Sequence, residues 1–221
     1  MWGLYPLNKI STERLDTVFA NRVYNNEEDT MKTYVLLGNT RVKSNTETLA
    51  NIFSDELTAL GIEVIRVSLR DKHIEPCIGC DKCHKVTDSF GCVVNDDMRE
   101  IAKGILTSDL IVLSSPIYTW MPTPPLKAVM DRLYAFTKHP EGAEAFNLLH
   151  GKKLAMIATS GDECESNCDL FNEAVRRMAD FAHMPYLGYL AARDHGDGNI
   201  VRPEVKIEAR AFAKKCAEAY L

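Results

Sequence analysis

The sequence predicts an α/β fold in which five parallel strands form a doubly wound sheet with helices on both faces. Three observations support this. Short apolar runs alternate with segments of helical periodicity. The runs lack the polar alternation of half-exposed strands, which is typical of parallel strands buried on both faces. The 221 residues, with ordinary apolar and charged fractions, suffice for one such domain over residues 32–221, preceded by a helical N-terminal arm, residues 1–31.

Five runs are predicted as strands because they are short, apolar and bounded by turn residues. They are residues 34–37, 62–67, 110–114, 153–158 and 186–191. Helices are predicted to begin at residues that favour helix starts, namely Ser44, Asn95-Asp96-Asp97, Pro124-Pro125, Asp169 and Pro203. Ligands of such sheets bind at the carboxyl ends of the strands, where the strand order reverses. The loops after strands one, three and four are therefore the candidate binding loops.

The first of these loops is rich in hydroxyl and amide side chains and leads into a helix. Ser44 followed by Glu47 forms a capping-box pattern, and Gly61 supplies the helix stop. The positive end of that helix and its free N–H groups favour a phosphate. The loop has neither a dinucleotide nor an ATP-binding fingerprint, which favours a mononucleotide, although an ordinary capped turn is the alternative. The candidate phosphate ligands are Thr40, Arg41, Ser44, Asn45 and Thr46.

The second and third loops could hold a flat ring. The second contains four prolines, which stiffen it, and the aromatic residues Tyr118 and Trp120. We expect free N–H groups from Ile117 to Trp120 and two rings that flank a heterocycle, with ordinary surface packing as the alternative. In the third loop, Gly161 permits close approach of the backbone to a ligand, and a plain strand-to-helix turn is the alternative.

The composition argues against several function classes. A net charge of −5 without a concentrated basic stripe disfavours nucleic acid as the main partner. No apolar run approaches the roughly 20 residues needed to span a bilayer, and the N-terminus lacks the pattern of a signal peptide. We therefore expect a cytoplasmic protein that does not bind membranes. In that compartment, seven cysteines do not indicate a disulfide framework.

Three segments resemble the NAD(P)H-dependent FMN reductases of the flavodoxin-like superfamily over roughly residues 32–193. These are G-N-T-R-V-K-S-N-T after strand one, S-S-P-I-Y-T-W-M-P-T-P-P-L-K-A-V-M-D-R after strand three and T-S-G-D after strand four. The resemblance implies a flavodoxin-like fold, FMN as cofactor with its phosphate in the first loop, NAD(P)H as co-substrate, and a homodimer or homotetramer. By position it places the flavin ring against Pro116, Ile117, Tyr118, Thr119, Trp120, Met121, Thr159, Ser160, Gly161 and Asp162. The chain departs from that family at Gly38-Asn39-Thr40, where a small residue and a proline are common, and in a third loop that is poorer in glycine.

Four cysteines lie within the loop of residues 76–95. Cys77, Cys80 and Cys83 follow the spacing C-x2-C-x2-C, and Cys92 follows after eight residues. This resembles the iron-sulfur flavoproteins, in which a 4Fe-4S cluster near the FMN relays electrons, although their fourth cysteine usually follows more closely. Free thiols and tetrahedral zinc stay open as alternatives. His84, next to the third cysteine, is expected to be solvated.

The predicted function is an FMN-dependent oxidoreductase that takes a hydride from NAD(P)H and passes electrons to a flavin, quinone or other small acceptor, or to a redox protein through the cluster. No catalytic side chain is predicted, because the flavin carries the chemistry. A non-enzymatic electron carrier between protein partners is the alternative, and a metal or redox sensor ranks third. Cys164 and Cys168, four residues apart near the third loop, are expected to be isolated thiols, with a redox-active pair as the alternative.

Overall fold

The computed structural model describes residues 31–197 and 199–219. The predicted N-terminal arm lies outside the described residues except for Met31. The division of the chain into an arm and a domain over residues 32–221 therefore stays a prediction. Within the described residues, no helix is long and apolar enough to cross a bilayer.

The described residues form seven strands, six helices and three short 3-10 turns. The strands are β1 (Lys32–Leu37), β2 (Glu63–Ser68), β3 (Leu110–Pro116), β4 (Thr137–Lys138), β5 (Phe146–Asn147), β6 (Lys153–Ser160) and β7 (Tyr186–Arg193). The helices are α1 (Asn45–Ala59), α2 (Met98–Thr107), α3 (Pro124–Arg132), α4 (Cys164–Asn167), α5 (Asp169–Ala182) and α6 (Pro203–Glu218). The 3-10 turns cover Leu69–Asp71, Lys82–Lys85 and Leu133–Phe136.

The five long strands form one parallel sheet in the order β2-β1-β3-β6-β7. From β1 the chain continues to β2 on one side and then to β3 on the other, so the strand order reverses between β1 and β3. This is the flavodoxin-like order, and ligands of such sheets bind in the crevice at the reversal. The predicted fold class is therefore confirmed.

Helices cover both faces of the sheet. On one face α1 packs against α6, with the ring centroids of Phe53 and Phe212 5.6 Å apart. On the other face α2, α3 and α5 bury side chains such as Met98, Leu126 and Phe171. The central strands β1, β3 and β6 are buried over nearly their whole length, as their lack of polar alternation predicts.

The ends of the predicted strands lie within two residues of the observed ends, and several coincide with them. The predicted stop of α1 is confirmed, because Gly61 follows its last turn with a φ of 83°, which glycine adopts easily. The prolines at residues 124 and 203 open α3 and α6 as predicted. The antiparallel pair β4 and β5 and the short helix α4 were not predicted, because elements of two to four residues carry no periodicity.

Candidate functional site

Gly38 fixes the first loop against the start of α3. Its N–H donates to the carbonyl of Ser114 at 2.7 Å, and its carbonyl accepts from the hydroxyl of Thr123 at 2.6 Å. A Cβ atom at position 38 would lie 2.9 Å from the Cβ of Leu126, so glycine is required for this approach. The first loop and the end of the second loop therefore pack against each other at the point where the strand order reverses.

The N-terminus of α1, which follows the first loop, has free hydrogen-bond donors. Ser44 caps the helix by accepting from the N–H of Glu47 at 3.0 Å, whereas the N–H groups of Asn45 and Thr46 donate no hydrogen bond within the described residues. Asn39 is buried, and its Oδ1 has no partner there either. Free N–H groups at the positive end of a helix form a ready site for a phosphate.

Two residues beside the first loop were missed by the sequence analysis. Arg70 donates to the carbonyl of Arg41 at 3.0 Å and lies 3.6 Å from the carboxylate of Glu47. Asp194 accepts from the side-chain amide of Asn45 at 2.8 Å. Both follow a predicted strand at the same edge of the sheet, so the rule that parallel strands converge at their carboxyl ends would have indicated them.

The second loop forms a tight turn over Tyr118–Met121. The N–H of Tyr118 donates to the carbonyl of Met121 at 2.9 Å, and Thr119 and Trp120 have positive φ values of 51° and 61°. Two consecutive positive φ values are typical of a type I′ turn and are strained for residues other than glycine. The prediction of free N–H groups was wrong for Ile117 and Tyr118. The N–H groups of Thr119 and Trp120 have no acceptor within the described residues.

Hydrogen bonds join all three loops. The Oγ1 atoms of Thr46 and Thr159 lie 2.5 Å apart, and the Oγ1 of Thr40 lies 3.4 Å from the hydroxyl of Tyr118. The N–H of Ile117 donates to the carbonyl of Thr159 at 2.8 Å. The structure therefore brings the three predicted loops into one site at the edge of the sheet.

The third loop is anchored beneath an open surface. Ser160 is buried and donates to the carbonyl of Asp162 at 2.7 Å, and Asp162 pairs with Arg193 at 3.4 Å. A Cβ atom at Gly161 would meet no other atom within 4 Å, so space is left above this loop. We name this surface, formed by residues 38–46, 116–121 and 159–162, the flavin edge, because the resemblance described above predicts that the flavin binds there.

Cys164 borders the flavin edge and is not an ordinary thiol. A hydrogen bond from the thiol of Cys168 lowers the pKa of Cys164 to about 6. The Sγ of Cys164 also lies 3.5 Å from the hydroxyl of Ser160. The hydrogen bond between the two cysteines, with burial, raises the pKa of Cys168. Because thiolates are nucleophilic, Cys164 has the charge state of a reactive cysteine near neutral pH.

The four cysteines of residues 76–95 line one pocket. Cys77 and Cys80 are exposed, and Cys83 and Cys92 are partly buried. The other lining residues are Ile78, Asp81, Val93, Val94, Arg132, Tyr134 and Ala135. We name this surface the cysteine pocket; it lies at the C-terminal end of α3, whose N-terminal end follows the second loop of the flavin edge.

Gly91 explains how eight intervening residues still bring Cys92 near Cys83. It has a φ of 66°, and a Cβ atom there would lie 3.1 Å from the carbonyl of Cys83 and 2.6 Å from the Cβ of Val86. Only glycine tolerates both this backbone conformation and this approach. The segment before the fourth cysteine therefore packs directly on the segment that carries the third.

The cysteine pocket does not have the geometry of a single-ion site. In the part of the chain that the structure describes, no group of three or more His, Cys, Asp or Glu side chains is close enough to hold one metal ion. Tetrahedral zinc needs four ligands around one point. An iron-sulfur cluster contains several metal and sulfide atoms, so it separates its thiolate ligands more widely. Four thiols that line one pocket are the donor set that a 4Fe-4S cluster requires.

The prediction that His84 is solvated was wrong. Its side chain is buried, with the rings of Tyr134 and His139 at 4.6 and 4.9 Å. Nδ1 lies 2.6 Å from the carbonyl of Thr137 and therefore carries the proton, because a carbonyl only accepts. Nε2 has no hydrogen-bond partner among the described residues, and the nearest carboxylate, that of Asp81, is 3.6 Å away.

Comparison with known proteins agrees with this geometry. The profile of the family described as NADPH-dependent FMN reductase matches residues 31–195, about three quarters of the chain. The chain belongs to the NADPH-dependent FMN reductase family. The resemblance inferred from the three loop segments is thereby confirmed.

Individual relatives extend this picture. An iron-sulfur flavoprotein of Methanocaldococcus jannaschii is 36% identical over 102 residues, which cover 46% of this chain and 51% of that protein. A Bacillus subtilis protein named as an NAD(P)H-dependent FMN-containing oxidoreductase is 24% identical over 86% of this chain and 99% of the relative. The NAD(P)H:quinone oxidoreductase of Methanothermobacter marburgensis superposes with a TM-score of 0.63 at 14% identity, over 84% of this chain and 98% of that one, which shows the shared fold. The chain spans about half the length of the curated iron-sulfur flavoproteins that it matches.

The residues at the flavin edge fit the cofactor after which the NADPH-dependent FMN reductase family is named. The free N–H groups at the start of α1 suit the phosphate of FMN. The free N–H groups of Thr119 and Trp120 and the open space above Gly161 suit the polar edge of its ring. Thr46 already bonds Thr159, so its hydroxyl also ties the phosphate loop to the ring loop. The individual contacts assigned from the sequence stay predictions.

Proposed function

We propose that the protein is an FMN-dependent oxidoreductase that takes a hydride from NADH or NADPH and passes electrons to a second acceptor through a 4Fe-4S cluster held by Cys77, Cys80, Cys83 and Cys92. One observation carries the proposal: α3 joins the flavin edge to the cysteine pocket. Its nine residues span about 13 Å at 1.5 Å per residue. Two redox sites would thus lie at opposite ends of one short, rigid element.

In this proposal the chain binds and orients, and the cofactors supply the chemistry. The start of α1 would hold the phosphate, and the strained turn at Thr119 and Trp120 would present two N–H groups to the ring. FMN bound there would accept a hydride and release single electrons. The half-exposed rings of Tyr118 and Trp120 leave room for a nicotinamide to approach. No acidic or basic side chain is needed for this reaction.

The acceptor and the assembly belong to the proposal as well. We propose a small-molecule acceptor such as a flavin or quinone, or a redox protein that approaches the exposed Cys77 and Cys80. We propose a homodimer or homotetramer, as the family resemblance implies. Light scattering after gel filtration tests the assembly.

A reductive titration under anaerobic conditions tests the activity. The protein is reduced with dithionite to count its electrons and, in parallel, with NADH and NADPH. The proposal predicts uptake of about three electrons per chain, two for FMN and one for the cluster, and bleaching of the flavin by at least one nicotinamide. Reduction by dithionite with no response to either nicotinamide would contradict the proposal and support the alternative, a non-enzymatic electron carrier.

A double variant separates the two redox sites. Cys77→Ser with Cys80→Ser removes two exposed thiols and leaves the flavin edge intact. We expect this variant to take up about two electrons per chain and to keep its reaction with nicotinamide. Uptake identical to that of the wild type would overturn the assignment of the cluster to these cysteines.

A further inference from the structure

Two cationic side chains are buried against the cysteine pocket. Arg132 is 1% exposed and Lys138 is fully buried. Both are among the largest buried side chains of the described residues. Charged residues of this kind are almost never buried without a partner. Neither residue belongs to the flavin edge, and both contact cysteines of the cysteine pocket.

Arg132 reaches a predicted cluster ligand directly. Its Nη2 donates to the Sγ of Cys92 at 3.4 Å, and its Nη1 pairs with the carboxylate of Asp96 and donates to the carbonyl of Glu75 at 3.2 Å. Asp96 balances the positive charge of the guanidinium. Arg132 therefore contributes a hydrogen bond to the sulfur of Cys92 and little net charge.

Lys138 is held differently. Its Nζ donates to the carbonyls of Cys83 at 3.1 Å, Phe90 at 3.3 Å and Ala135 at 2.6 Å. These bonds tie the segment of the third cysteine to the segment just before the fourth. Among the described residues, this ammonium group forms no salt bridge, and the carboxylate of Asp88 attracts it from beyond ion-pair distance. Its charge is solvated by carbonyl dipoles and is not neutralised.

A buried charge that is not neutralised is expensive in a neutral pocket. Four protonated thiols are neutral, and Lys138 would then be a buried cation that only the more distant carboxylate of Asp88 attracts. Four thiolates around an iron-sulfur core carry a net negative charge, which increases by one unit when the cluster takes up an electron. The positive charge of Lys138 and the N–H group of Arg132 therefore stabilise a bound, anionic cluster. They stabilise its reduced form more than its oxidised form, because the reduced form carries one more negative charge.

We propose that Arg132 and Lys138 are positioning residues that hold the anionic cluster in the cysteine pocket and raise its reduction potential. The inference rests on the proposed function, because it concerns the cluster assigned there. Hydrogen bonds to cluster sulfurs and nearby charge are established means by which proteins tune such potentials. Lys138 acts through charge and loop closure, and Arg132 acts through its bond to Cys92.

Three variants of the full-length protein test the inference. Arg132→Lys keeps a cation beside Asp96 but loses the planar fork that reaches sulfur. Lys138→Met removes the buried charge at similar length. Lys85→Met removes the same charge from an exposed position near the loop and serves as the matched control. Each protein is purified anaerobically, and its iron, FMN, thermal midpoint and cluster reduction potential are measured.

We expect Lys138→Met to reduce the ratio of reduced to oxidised cluster at a fixed potential at least tenfold, which is a drop of 59 mV for a one-electron couple. Arg132→Lys lowers the ratio by a smaller factor with full iron content, and Lys85→Met leaves it within about twofold because an exposed charge is screened. Loss of iron from Lys138→Met alone, with FMN and thermal midpoint retained, also supports the inference.

Unchanged potentials in both buried-cation variants, with iron retained, overturn the inference. If Lys138→Met fails to fold, the cluster reduction potential of Arg132→Lys alone decides whether the inference stands. The wild type is measured first, so that failure of the proposed cluster is distinguished from failure of this inference. A wild type without iron overturns the proposed cluster and this inference together, whereas a wild type with iron and insensitive variants overturns this inference only.

Discussion

The flavin edge and the cysteine pocket are held together in different ways. The loops of the flavin edge emerge from buried parallel strands and are joined by short hydrogen bonds such as that between Thr46 and Thr159. The cysteine pocket is closed by irregular backbone, by one glycine and by Arg132 and Lys138 from a distant part of the chain. The first site is therefore preformed by the sheet, whereas the second depends on a few buried charges.

The largest effect is expected at the buried ion pair of the cysteine pocket. Asp96→Ala leaves the guanidinium of Arg132 buried without its carboxylate. Loss of one partner of a buried pair destabilises a protein by about 3–5 kcal/mol. Urea unfolding followed by circular dichroism measures this loss.

A surface pair supplies the control for that comparison. Glu173 pairs with Arg176 and Arg177 on the exposed face of α5. Glu173→Ala should change the unfolding free energy far less, because exposed pairs contribute little. Equal effects of the two substitutions would show that the cysteine pocket does not depend on its buried pair.

At the flavin edge, the double variant Ser44→Ala with Thr46→Ala should release FMN without unfolding the sheet. Hydrogen bonds to a charged group contribute about 1.5–3 kcal/mol each, so a loss of about 3 kcal/mol, roughly a hundredfold in Kd, is expected. Quenching of flavin fluorescence during titration measures the affinity. Ser54→Ala with Thr58→Ala is the matched control, because these hydroxyls bond only to carbonyls within α1. Full FMN occupancy in the first variant would refute the phosphate assignment.

Substitutions at two glycines in the loop of residues 76–95 separate the effect of backbone strain from the effect of close contact. Gly91→Ala introduces a Cβ at a positive φ and against Val86, and we expect a loss of about 2–3 kcal/mol. Gly79→Ala has a similar φ of 62° but meets no atom within 4 Å, so a loss of about 1 kcal/mol is expected. Thermal unfolding of both variants provides the comparison. Equal losses would mean that Gly91 acts through its φ alone.

The smallest effect concerns the thiol beside the flavin edge. Cys164 has a pKa of about 6, so its thiolate is present above pH 6 and is lost as the pH falls through that value. The rate of alkylation at Cys164, followed by mass spectrometry, should therefore be half-maximal near pH 6. Cys168→Ala removes the hydrogen bond that lowers the pKa most and should move that midpoint to higher pH. A midpoint in the ordinary range for cysteine in the wild type would contradict this account.

The sheet and the flavin edge could be predicted because their signals are local. An apolar strand such as residues 34–37, a capping box at Ser44 and a glycine stop lie within one stretch of sequence. Even so, the turn at Thr119 and Trp120 was not predicted, because neither residue type favours positive φ. Surrounding tertiary contacts impose that conformation.

The cysteine pocket could be predicted only as a set of ligands. The spacing of the four cysteines indicated a site, but nothing local linked Arg132 or Lys138 to it. His84 was misjudged for the same reason, since its burial comes from Tyr134 and His139, which lie about fifty residues away. Contacts between segments distant in sequence decide burial, and periodicity carries no information about them.

The most direct test of the account is the content of FMN, iron and acid-labile sulfide in protein purified without oxygen, measured together with its absorption spectrum. The proposed function predicts about one FMN and about four irons and four sulfides per chain, with flavin bands superimposed on a broad cluster absorption. Flavin bands without iron would contradict the proposed cluster in the cysteine pocket. A protein without flavin would contradict the account as a whole.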